Sequence, residues 1–69
     1  MEMGENIIRL RQWRGLTREQ LAKEARISAS YLRRIELGHI NPHIKTIARL
    51  AEILGVEVGA IHNSRLNNI

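Results

Sequence analysis

Sixty-nine residues are enough for one small domain, near the lower size at which a chain folds without staples. With no Cys there is neither a disulfide framework nor a thiolate metal site, and a hydrophobic content of 43% with one Trp, one Tyr and no Phe requires an aliphatic core. Eleven Lys and Arg against seven acidic residues give a net charge of +4, a balance that favours a polyanionic partner.

No apolar run approaches the roughly 20 residues needed to span a bilayer. The opening stretch MEMGENIIRL is acidic where a secretory leader is basic, and it lacks a small-residue cleavage site. The expectation is a soluble, cytoplasmic protein with no membrane contact. There are no repeats, linkers or low-complexity segments, so residues 1–69 read as one domain ending in a polar tail over about 63–69.

A first helix is predicted over about 4–14, stopped by Gly15 as a left-handed cap. Ile7 and Leu10 share its inward face, with Arg11 and Arg14 at the edge. Ile8 and Trp13 point elsewhere; they cover the C-terminal segment, form a subunit contact or simply remain exposed. Leu16 then precedes Thr17, whose hydroxyl can cap a second helix, and Gln20 three residues on completes a capping-box pattern. Leu21, Ala22 and Ala25 fall on one face of that helix, and Glu19 and Lys23 stand four apart outside it as a surface pair.

The break Arg26-Ile27-Ser28 separates this helix from a third, over about 29–37, with Ser28 as its N-cap. Placing Leu32 and Ile35 inward puts Ser30, Arg33, Arg34 and Leu37 on the opposite side, with Ala29 at its edge. Small residues in the first turn let a helix approach a groove floor closely, and two adjacent arginines suit guanine edges or phosphates. The bland reading of such arginines is a solvated helix face. Tyr31 lies between the faces, either as a phosphate donor or as a half-buried aromatic.

Gly38 closes the third helix, and Pro42 biases Asn41 toward an extended backbone, so a fourth helix starts at His43 or Ile44. Its apolar stripe is Ile44, Ile47, Leu50, Ala51 and Leu54, with Lys45, Arg49 and Glu52 outward. The free amides at its N-terminus suit a phosphate, with Asn41, His43 and Lys45 around them. Gly55 caps this helix, and Val56, Val58 and Ile61 predict a short fifth helix over about 57–63.

The stretch TREQLAKEARISASYLRRIELG, from Thr17 to Gly38, resembles the helix-turn-helix of the lambda and Cro repressor class, also called XRE-type. The matching residues are Leu21, Ala22, Ala25, Ile27, Leu32 and Ile35, followed by Glu36 and Gly38. The motif spans about 17–37, and the resemblance extends over most of the chain. It implies an all-α fold of five short helices, with the third in the major groove of double-stranded DNA. Ala29, Ser30, Arg33 and Arg34 would then face base edges, while Arg18, Tyr31, Asn41, His43 and Lys45 hold phosphates. It also implies that Arg11, late in the first helix, pairs with Glu36 as a structural clamp. One departure stands out: the family usually has Gly where this chain has Arg26, at a position that tends toward positive φ.

The function implied is transcriptional regulation, as a repressor, by a homodimer on an inverted-repeat operator. Regulation then comes through concentration or a protein partner. The rival readings are a protein-interaction module on the same scaffold, antitoxin- or adaptor-like, and a sequence-blind nucleic-acid binder. His39, His43 and His62 lack the companions of a metal site, and no nucleophile sits with a base and an orienting acid. Neither a cofactor nor an enzyme activity is expected.

Overall fold

The helices in the middle of the chain open on capping side chains, those of Thr17, Ser28 and His43. The computed structural model describes residues 2–62. In chain order it contains α1 (Glu2–Trp13), α2 (Arg18–Ala25), α3 (Ala29–Glu36), α4 (Ile44–Leu54) and α5 (Val58–His62), with no strand among the described residues. The all-α, five-helix expectation holds. The polar tail over 63–69 and the expected last residue of the fifth helix, Asn63, lie outside the described residues.

The boundaries move by one or two residues. α1 begins before Gly4 and ends at Trp13, where the Gly15 amide donates to the Gln12 carbonyl at 3.0 Å and the Leu16 amide to that of Arg11 at 2.9 Å. α3 ends at Glu36, because Leu37 already serves as its C-cap and the His39 amide folds back to the Arg34 carbonyl at 2.9 Å. α5 starts one residue late, since Glu57 contributes only its carbonyl, to the Ala60 amide at 2.9 Å.

The core is aliphatic, as the composition requires. Ile7 of α1, Leu21, Ala22 and Ala25 of α2, and Leu32 and Ile35 of α3 meet Ile47, Leu50, Ala51 and Leu54 of α4 and Ile61 of α5. Within this arrangement α1 packs on α3 and α5, α2 on α3 and α4, and α4 on α5. Leu10, Leu16, Ile27, Val56 and Val58 are half-buried against the same cluster, whereas Trp13 is 76% exposed.

Ile44 departs from the expected stripe: it is 56% exposed. It is the first residue of α4, and helical side chains lean toward the N-terminus, so this one leans over the preceding loop instead of onto the core. In that loop Pro42 is buried.

Polar pins complement the small core. The buried Asn6 side chain donates through Nδ2 to the Ile61 carbonyl at 3.0 Å, fastening α5 to α1. Arg49 donates through Nη1 to the Ala25 carbonyl at 3.0 Å, satisfying the end of α2 from α4. Gly4 lets α1 lie directly on the end of α3: a Cβ there would collide with the Glu36 carbonyl oxygen and come within 2.7 Å of that of Ile35.

Two substitutions test these constraints. Gly4→Ala forces the α1–α3 backbones apart and is expected to cost about 1–3 kcal/mol in urea unfolding. An unchanged midpoint would show that the close approach is not required. Arg26→Gly relieves a left-handed backbone at φ 61° and is expected to stabilise by up to about 1 kcal/mol in the same measurement.

Candidate nucleic-acid interface

The unit α2–turn–α3 is built from local hydrogen bonds. Thr17 Oγ1 accepts from the Gln20 amide at 3.0 Å while Gln20 Oε1 accepts from the Thr17 amide at 2.8 Å, so the capping box is closed on both sides. At the other end of α2, Arg26 takes the left-handed conformation (φ 61°, ψ 40°), and its amide donates to the Ala22 and Lys23 carbonyls. Ile27 follows with its amide on the Ala22 carbonyl at 3.0 Å, and Ser28 Oγ accepts from the Tyr31 amide at 3.0 Å to open α3. Arginine thus occupies the turn position that glycine would fill more easily.

This construction presents one face of α3 to solvent. Ser30, Arg33 and Arg34 are exposed, and Leu37 at the end of the helix is 47% exposed. Ala29 and Tyr31 are half-buried and pack against the core, so of the expected base-facing residues Ala29 offers only part of its surface. Seven of the eleven basic residues and three of the seven acidic ones fall between Thr17 and Arg49. This stretch therefore carries the whole net charge of +4, and one of its three carboxylates, that of Glu36, is buried.

Around the start of α4, Asn41, His43 and Lys45 are all exposed. His43 has a job there that the sequence reading did not assign. Its Nδ1 accepts from the Lys45 amide at 3.0 Å, which makes it the N-cap of α4. The ring nitrogen left to donate outward is then Nε2. Glu19 and Lys23 are exposed but do not form the expected pair; the ion pairs found among the described residues all converge on Glu36.

Glu36 has a fully buried carboxylate with two arginines on it. Arg11 Nε donates to Oε2 at 2.8 Å and Arg11 Nη2 to Oε1 at 3.5 Å, while Arg11 Nη1 reaches the Leu16 carbonyl at 3.1 Å. Arg18 Nε donates to Oε1 at 2.9 Å, from a side chain that keeps 32% of its surface exposed. The Arg11–Glu36 clamp is therefore present, and Arg18 is a third member that the sequence reading placed only on phosphate. Helical spacing places Arg18 at the start of α2 but says nothing of its reach across to α3.

Comparisons with known proteins agree with this architecture. A family model described as Helix-turn-helix matches residues 7–61. The immunity repressor protein of Bacillus phage phi105 is 43% identical over 61 residues, covering 88% of this chain and 42% of that protein. The uncharacterized HTH-type transcriptional regulator y4dJ of Sinorhizobium fredii is 41% identical over 54 residues, covering 78% of this chain and 70% of its own length. Among solved structures, a chain of the SinR protein/SinI protein complex superposes with a TM-score of 0.87 at 26% identity, over 97% of this chain and 66% of that one. The chain thus spans less than half of the phage repressor it matches.

Glu36→Gln leaves two guanidinium groups beside a neutral partner in a buried site and is expected to destabilise by about 3–5 kcal/mol. Chemical denaturation checks this, and a loss below about 1 kcal/mol would mean that solvent, not Glu36, balances the arginines.

Proposed function

Because the chain belongs to the XRE-type helix-turn-helix family, whose model covers most of it, we propose that it binds double-stranded DNA sequence-specifically as a transcriptional regulator, a repressor. The observation that carries this reading is the exposed pair Arg33 and Arg34 on α3, a helix held in place by the buried Glu36 at its end. In the proposed mechanism α3 enters the major groove. Arg34 makes the principal bidentate contact to a guanine edge, and Arg33, Ser30 and the accessible part of Ala29 complete the reading surface. Arg18, Tyr31, Asn41, Lys45 and His43 through Nε2 hold the backbone on either side. Affinity then comes mostly from phosphates and discrimination from base edges.

Residues 1–69 act in this reading as one DNA-binding domain. A single copy reads few base pairs, so the operator is an inverted repeat bound by a homodimer in the cytoplasm, at the nucleoid. The phage relative is named an immunity repressor, which favours repression over activation. A second reading, a protein-interaction module on the same scaffold, draws on the exposed Trp13 and on the SinR neighbour, which was solved together with another protein.

Binding titrations on a panel of singly substituted duplexes test the assignment. Arg34→Ala is expected to cost about 1–3 kcal/mol and to relax preference at one position. Lys45→Ala weakens every sequence alike and lowers the slope of log K against log salt by about 0.9. The same uniform loss from both would contradict the division into reading and holding residues.

A further inference from the structure

Two arginines share the Glu36 carboxylate, and their situations are unequal. Arg11 is engaged through all three guanidinium nitrogens, on Glu36 and on the Leu16 carbonyl, and only 11% of its side chain is exposed. Arg18 touches Glu36 through Nε and keeps 32% of its side chain exposed. Glu36 itself is fully buried, so one negative charge faces two positive ones. The excess positive charge therefore surfaces at Arg18. Arg18 borders an open depression of about 480 Å³ between the end of α1 and the start of α2, with Glu19, which is paired with neither arginine, on the same rim.

We propose that Arg18 is a positioning residue for base recognition: it bridges a DNA backbone phosphate to Glu36, and so ties the phosphate contact to the orientation of α3. This deepens, and rests on, the DNA-reading function above. The geometry of guanidinium makes the bridge feasible, because its planar fork serves one partner through Nε and another through the terminal nitrogens. A bound phosphate also completes the charge balance that Glu36 alone leaves at +1. Since Glu36 is the last residue of α3, a force on Arg18 is a force on the helix that carries Arg33 and Arg34. Coupling of this kind is reciprocal: whatever strengthens the phosphate contact sharpens the placement of α3, and the reverse. An ordinary phosphate contact lacks this property, because it holds all sequences equally.

Arg18→Gln and Arg18→Lys separate the possibilities, read by affinity for matched and singly mismatched duplexes across a salt series, with unfolding midpoints recorded for each protein. Arg18→Gln is expected to reduce the salt slope by about 0.9 and the match-to-mismatch ratio by about fivefold or more. Arg18→Lys keeps a point charge for the phosphate, but its single nitrogen cannot stand both at the Nε position beside Glu36 and at the outer position beside the phosphate. The slope is therefore retained while the ratio still falls. The lysine variant keeps the test standing if the glutamine variant does not fold.

A uniform loss of affinity in Arg18→Gln with the ratio intact, or full discrimination in Arg18→Lys, overturns the bridge and leaves a plain phosphate contact. A fall in unfolding midpoint with the salt slope of Arg18→Gln unchanged also overturns it, leaving a structural ion pair. Each of these results presupposes a wild type that discriminates between duplexes. A wild type that does not discriminate overturns the proposed function itself, and the bridge with it.

Discussion

A carboxylate buried at the end of α3 has to be balanced, and the way Glu36 is balanced organises the molecule. An isolated charge removed from water is far too costly to persist, so the fold must deliver cations to it. It does so from two other helices, with Arg11 of α1 reaching both oxygens and Arg18 of α2 joining it on Oε1. Three helices are thereby fixed relative to one another at a single point. Such a buried network need not raise net stability; what it supplies is a definite placement for α3, which the apolar contacts of Leu32 and Ile35 alone would hold more loosely. The close approach at Gly4 belongs to the same constraint, because it sets α1 against the backbone of the very residue that carries the carboxylate.

The small aliphatic core explains why polar pins recur. With one Trp and one Tyr, both outside the fully buried set, no large aromatic fills the centre. Asn6 on the Ile61 carbonyl and Arg49 on the Ala25 carbonyl each join elements distant in sequence. Directional bonds in these places restrict sliding between short helices, and the proposed reading surface needs that restriction. A base contact misplaced by an ångström is a lost contact.

Local features were legible in the sequence. Thr17 with Gln20, Ser28, and the glycines at 15 and 55 each act within four residues of themselves, and all sit where their chemistry predicts. The left-handed turn at Arg26 was also readable, from the family resemblance alone, although the residue is a poor occupant of it. What escaped depends on helices meeting. Arg18 on Glu36, Asn6 on Ile61 and the role of Gly4 follow from how α1, α2, α3 and α5 pack, and no period in the chain encodes that. Ile44 failed for a related reason: helical spacing put it on the apolar stripe, but spacing does not say where the core stops. Within the candidate interface, Arg33, Arg34 and Lys45 are as exposed as their positions on the helical wheel indicate. His43 turned out to cap the backbone that it was expected only to flank.

In the proposed function, the exposed arginine face of α3 reads DNA sequence. Selection of bound duplexes from a random library, run beside an Arg33→Ala/Arg34→Ala control, is the decisive experiment. The expected result is enrichment of an inverted repeat at physiological salt, lost in the control, with half-sites spaced by about one helical turn of DNA, roughly 34–36 Å. Binding with no enrichment, equal for the protein and its control, would contradict it and point to a protein partner for this scaffold.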